Sequence, residues 1–250
     1  MTAPDWLTRL AEVATASVRG EGADAEGLDH RRFRLPPAGQ PGNRQSAVLI
    51  LFAEVATGTT GDSASSRPSD AGAAARGAAG SVPEVGVAAA DVSVLLTERA
   101  HSLRSHPGQV SFPGGRHEPS DPDLVTTALR EAHEEVGVEP DTVDVAGLLP
   151  PLNLSVSAHD VSPVLGWWRR PGGAWVRDPR EVARVLQVPV AHLVDPAHRF
   201  RVGHPSGWVG PAFQAEDLVV WGFTAWLLDG VLRMGGWELP WDESDVRPVP

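Results

Sequence analysis

The 250-residue chain contains no cysteine, no tyrosine and no lysine. Without thiols it can form neither disulfides nor thiolate metal sites. Its 21 basic side chains are all arginine, set against 32 acidic ones, and the formal net charge is −11. This usage reads as the codon bias of a GC-rich genome. A chain this acidic lacks the basic face that broad nucleic-acid binding needs. An anionic small molecule would have to be met by a local arginine cluster, against an unfavourable overall field. No stretch approaches the roughly 18 uninterrupted apolar residues of a membrane span. The N-terminus does not join a basic region to an apolar run, as a secretion signal does. The last residues, Val246-Arg247-Pro248-Val249-Pro250, are not a peroxisomal address. The expectation is a cytoplasmic protein whose partner is a small molecule, with no nucleic acid and no membrane. A homodimer is compatible with the sequence, which contains nothing that demands one.

What is present is an ordinary globular composition, 42% hydrophobic and 21% charged, enough to bury a real core. Residues 4–18 place Trp6, Leu7, Leu10, Val13 and Ala14 at helical spacing. Residues 20–44 are polar and rich in Pro and Gly, and read as surface loop. Residues 46–55 form a nearly continuous apolar run, the mark of a buried strand. Residues 57–87 differ in kind. Ala, Gly, Ser, Thr and Asp dominate there, and such a segment cannot offset its ordering entropy. It is expected to be a mobile insertion between two strands.

Strands are expected at 91–98, 108–113, 143–149 and 159–168, the last interrupted by Pro163, with one or two more within 207–221. A short helix is expected over 179–186, a closing helix over 222–234 and a tail from 237. The domain reading is an N-terminal helix and loop (1–44), a main domain (45–235) carrying the insertion, and a C-terminal tail (236–250).

One stretch carries the chemistry. Gly114-Gly115 precedes a helix that holds Arg130-Glu131-Ala132-His133-Glu134-Glu135-Val136-Gly137. Asp121 can cap this helix, Pro122 suits its first turn and Asp123 favours the positive end of its dipole. Val125, Leu129, Ala132 and Val136 form an apolar stripe, and Gly137 can close the helix. Glu131, Glu134 and Glu135 share one face. Such a cluster repels itself unless a cation joins it, and a hard divalent ion with oxygen ligands is the natural remedy.

Arg130 through Val138 resembles the second half of a Nudix box, which ends R-E-U-x-E-E-x-G-U with U apolar. The box's earlier glutamate position holds Asp121, and the gap from Gly115 to Arg130 is one residue longer than usual. Upstream, Leu95-Leu96-Thr97, Arg99-Ala100, Arg104, Gly108 and Phe112-Pro113-Gly114-Gly115 resemble the motif of the coenzyme A diphosphatase branch of Nudix hydrolases. That branch is similar in tolerating both departures.

The resemblance implies an α/β fold, a Nudix-like α/β/α sandwich with a mixed sheet. It also implies a metal-dependent hydrolase, with Mg²⁺ or Mn²⁺, that cuts coenzyme A or acyl-CoA into 3′,5′-ADP and (acyl-)4′-phosphopantetheine. Two other readings stand beside it. One is a Nudix enzyme for ADP-ribose, a dinucleotide or a damaged nucleotide; the other is a silent module that senses a nucleotide.

Glu131 and Glu135 are the expected metal ligands, with Glu134 in the same shell. Arg130 is expected to orient a glutamate, and Gly114 and Gly115 to let backbone approach phosphate oxygens. Arg99 and Arg104 are expected to meet substrate phosphates. The general base is open: Glu134 is one candidate, and Glu181 resembles a later acidic position that some Nudix enzymes use near the metals. His133 and His159 are further candidates. Trp221-Gly222-Phe223-Thr224-Ala225 resembles a recurrent element of the same branch, read as packing first and substrate wall second.

Overall fold

The structure, a computed structural model, describes residues 3–19, 44–55, 87–154, 159–205 and 207–250. The expected loop at 20–44 and insertion at 57–87 fall outside them, except for Arg44 and Val87.

Strand β1 (Arg44–Glu54) decides the layers. Leu49 and Leu51 are buried on one face, in a core with Ala128, Ala132 and Val136 of helix α2 (Leu124–Val136). Ile50 and Phe52 are buried on the other face. They share their core with Leu7 and Leu10 of α1 (Asp5–Arg19) and with Leu227 and Val231 of α4 (Gly222–Met234). A strand covered by helices on both faces has no solvent side, so its sequence is apolar without alternation. The result is the expected α/β/α sandwich.

β1 runs parallel to β7 (His159–Trp168) and antiparallel to β2 (Val92–Arg99). The main sheet is ordered β3 (Val110–Ser111), β2, β1, β7, β5 (Val143–Leu148). Off this path, β4 (Gly114–Arg116) pairs with β1, β6 (Leu152–Leu154) with β7, and β8 (Val182–Pro189) with β2. A second sheet is ordered β11 (Leu218–Val220), β10 (Val209–Ala215), β9 (Arg199–Gly203), β12 (Val246–Pro248).

Three expectations need correction. Pro163 does not interrupt β7, which pairs with β1 through Pro163 opposite Val48. Its carbonyl accepts from Leu149 N at 2.8 Å, so its nitrogen also faces the Leu149–Pro150–Pro151 side and no bond to β1 is lost. Residues 179–186 are not a helix. Val182, Val185 and Leu186 fit a helix face, but the open edge of β2 takes them as a strand, and tertiary pairing overrides local pattern. The short helix instead follows, as α3 (Val190–Val194). Residues 236–250, expected as a C-terminal tail, pack onto the domain. Trp237 is buried against Trp6 and Phe52, β12 pairs with β9, and Arg247 lies over the Phe200 ring. The anchors there are single aromatic and arginine contacts, which leave no periodic signal.

Candidate active site

Helix α2 starts later than expected. Its cap is Asp123, whose carboxylate accepts from Thr126 N at 2.7 Å, and this frees Asp121 for another task. Buried Asp121 receives Arg130 Nε at 2.9 Å and Nη2 at 3.0 Å, one to each oxygen. Thr127 Oγ1 adds a third bond at 2.9 Å and Glu118 N a fourth at 3.1 Å. The Arg130 guanidinium, before the other donors, holds the Asp121 carboxyl far below the usual carboxylate range. Arg130 also donates to Glu131 Oε1 at 3.1 Å, to Glu134 Oε2 at 3.0 Å and to the Arg116 carbonyl at 3.0 Å. Its planar fork thus ties the glycine loop, the helix and two glutamates into one unit.

Glu131, Glu135 and Glu181 come together, with an oxygen from each lying within 4.8 Å of the others. Burial pushes the Glu135 carboxyl up to about 8. The neighbouring charges of Glu131 and Glu181 add to this, while a hydrogen bond from Gly114 N at 3.1 Å and the charge of Arg99 oppose it. Burial also raises Glu131, against the pull of Arg130. Both shifts come first from burial, and the neighbouring carboxylates add to them.

The two glycines are needed for close approach. A Cβ at Gly115 would overlap the Glu131 carboxylate, and one at Gly114 would overlap the Ala47 carbonyl and the Val48 backbone. The glycine loop therefore lies flat between β1 and the carboxylates.

Glu181 arrives by a different route. The open carbonyls at the end of α2 are taken up by the following loop: Trp175 N donates to Val136 O at 3.2 Å, and Arg177 N donates to Glu135 O at 3.0 Å. On the other side, the β2–β8 register slips between Glu98 and Arg99, and Ala100 N donates to Glu181 O at 2.8 Å. A bulge re-aims the chain at this point, and Glu181 is held between the helix end and the Arg99-Ala100 pair.

The remaining expected residues are dispersed. Glu134, expected as both metal ligand and base, lies outside the group of three; its half-exposed side chain is turned to Arg130. Position i+4 follows Glu131 around the helix more closely than i+3 does, and Arg130 draws Glu134 away. Arg99 ends β2 near Glu135, and its Nε is buried without a hydrogen-bond partner among the described residues. Arg104 is exposed on the loop after β2. His133 sits 2.6 Å from Arg177 Nη1 and 3.6 Å from Glu139, outside the carboxylate group. The His159 side chain falls outside the described residues. Trp221 caps α4 without a side-chain bond and packs with Phe200 and Val202.

Two contributors had no legible signal. A threonine inside a helix, such as Thr127, has no spacing signature. The loop that delivers Glu181 acts through backbone N–H groups, which any sequence has.

Three carboxylates this close form a set of hard oxygen donors, and the arginines near them, Arg130 on Glu131 and Arg99 near Glu135, offset their charge only in part. The residues fit a divalent cation.

The family model described as NUDIX domain matches residues 80–206 of this chain. The Nudix hydrolase NudL of Enterobacter sp. (strain 638) is 38% identical over 146 residues, covering 56% of this chain and 71% of that protein. NudL of Cronobacter sakazakii (strain ATCC BAA-894) is 40% identical over 148 residues, with the same coverage of 56% and 71%. A solved MutT/nudix family protein from Enterococcus faecalis aligns over 92% of this chain and 73% of its own, at 12% identity and a TM-score of 0.43. The chain belongs to the Nudix family and is a hydrolase that acts on pyrophosphate bonds.

Proposed function

We propose that this hydrolase cleaves the diphosphate of coenzyme A or of an acyl-CoA, releasing 3′,5′-ADP and (acyl-)4′-phosphopantetheine. One observation carries the reading. The stretch Leu95–Gly115 that resembles the coenzyme A branch is also the frame of the carboxylate site. Within it, Arg99 approaches Glu135, Ala100 holds the Glu181 backbone, Gly114 donates to Glu135, and Gly115 makes room for Glu131.

Glu131, Glu135 and Glu181 would hold the divalent ion, Mg²⁺ or Mn²⁺. Bound there, it supplies charge neutralisation for the diphosphate and a water of lowered pKa. In the reaction a water oxygen bonds to one phosphorus, and the bridging oxygen leaves with the other phosphate. Arg130, fixed by Asp121, holds Glu131 in one rotamer. Arg99, whose charge acts on Glu135 beside the site, would meet a phosphate oxygen through its guanidinium. Arg104, exposed on the loop of the same motif, meets the anionic substrate at its approach.

The test is a panel of diphosphates incubated with the purified protein and Mg²⁺ or Mn²⁺, with products followed by chromatography. Coenzyme A or an acyl-CoA should be preferred, with 3′,5′-ADP as a product. Preference for ADP-ribose or a dinucleotide would overturn the substrate. Arg104→Ala should weaken the selection of coenzyme A over plain dinucleotides, and an unchanged preference removes that role.

A further inference from the structure

Away from the carboxylates, a cavity of about 250 Å³ opens where β9, β10, α4 and the C-terminal segment meet. Three of the nine tryptophans, Trp208, Trp226 and Trp241, line it, with Arg201 and Glu243 among the charged groups. It shares no residue with the carboxylate group, and the hydrolysis described above uses none of its walls.

Each indole is seated by a different device. Trp208 is 40% exposed and lies over Gly210, where any Cβ would overlap its ring. Trp226 stacks on Phe223, with 6.3 Å between centroids and 29° between planes. Trp241 rests on the guanidinium of Arg199, 4.5 Å from the ring centroid, and that arginine has no exposed side-chain surface. Walls held this way need little ordering when a ligand enters, so less binding energy is lost.

Aromatic walls can receive an organic cation, an aliphatic chain or a planar ring. Arg201 in the lining opposes a cation, which would otherwise suit indole faces. An aliphatic chain would desolvate Arg201 and Glu243 without replacing their hydrogen bonds. A planar heteroaromatic ring stacks on indole and carries donors and acceptors on its edge, matching a carboxylate and a guanidinium together. The volume suits one such ring system. We propose that this cavity binds a nucleobase, stacked on tryptophan with its polar edge toward Arg201 and Glu243. The base can come from the distal end of the substrate or from a separate nucleoside; the chemistry of capture is the same.

The probe is adenosine, which has no phosphate and cannot be hydrolysed by this enzyme. Calorimetric titration into the full chain, with divalent ions removed, should give saturable binding of about one adenosine per chain. Glu135→Gln should leave that binding unchanged. Trp208→Ala should weaken it roughly tenfold or more, as expected for loss of a stacking partner, and Trp208→Phe should restore most of it. Competition with the diphosphate substrate, together with a raised KM and unchanged kcat in Trp208→Ala, assigns the site to the substrate's own base. Non-competitive behaviour with unchanged KM assigns it to a separate nucleoside. No binding at millimolar adenosine, binding indifferent to Trp208→Ala, or tighter binding of tetramethylammonium overturns the proposal. The titration needs no turnover, so it can fail while the hydrolysis of coenzyme A stands, and the reverse.

Discussion

Arg130 donates both to Asp121 and to the carboxylate that Gly115 accommodates, so single side chains set the site's geometry. The identity of the carboxylates was legible because helical spacing puts Glu131 and Glu135 on one face. The task of Asp121 was not, because a carboxylate at a helix start reads as a cap, and only the position of Asp123 shows which of the two caps. Asp121→Asn should keep the shape but lose the charge-assisted bonds, lowering stability at neutral pH by about 1–3 kcal/mol. Its carboxyl is depressed in the fold. The stability it adds is therefore present above the unfolded carboxyl pKa, near 4, and is lost as pH falls through the folded value. Denaturant melts should show the wild-type advantage at pH 7 shrinking below pH about 4; a gap that does not depend on pH would contradict the pairing. Gly115→Ala tests the close approach. The added methyl overlaps the Glu131 carboxylate, so diphosphate hydrolysis should fall at least tenfold while circular dichroism keeps the native shape. Full activity would mean that the Glu131 carboxylate need not lie where it does.

Elements deliver these side chains by means that differ in how much sequence they need. Helix α2 announced itself through its apolar stripe and its glycine exit. β1 did so through a run too apolar to have a solvent side. β8 did not, because Val182, Val185 and Leu186 read as one helix face, whereas in the strand Leu186 packs in one core and Val182 and Val185 in the other, and the choice falls to the open edge of β2. That choice matters for function, since the bulge opposite Arg99 is what delivers Glu181 as the third carboxylate. The start of α2 separates a structural carboxylate from a functional one. Asp123 caps the helix from solvent and touches none of the three clustered glutamates. Asp123→Ala should lower the unfolding midpoint by a few degrees, because an N-cap bond is lost, and leave the metal dependence of hydrolysis unchanged. A large change in metal dependence would place Asp123, and not Asp121, in the site.

At the scale of the whole molecule, stability and chemistry are built from opposite arrangements of charge. Beside the second sheet, Arg199, Asp229, Arg233 and Glu238 form a buried to half-buried network with its signs matched. It binds α4 and the C-terminal segment to the domain. At the catalytic end, Glu131, Glu135 and Glu181 crowd one sign together, with burial adding to the cost. The packed sandwich around them holds the three in place despite their repulsion, which a divalent ion would relieve. Glu135→Gln replaces a carboxyl that burial pushes up to about 8 with a neutral group of the same shape. In the presence of a chelator the variant should be more stable than wild type, by about 0.5–2 kcal/mol, as when other functional sites are neutralised. Adding Mn²⁺ should reverse the order. Wild type gains stability in proportion to RT ln(1 + [Mn²⁺]/Kd), about 2.7 kcal/mol at a hundredfold excess over Kd, while the variant hardly moves. Thermal melts of both proteins, with chelator and across a Mn²⁺ series, measure all four quantities. A variant that is less stable in chelator, or that keeps the full metal-induced shift, would mean that these three carboxylates do not share an ion.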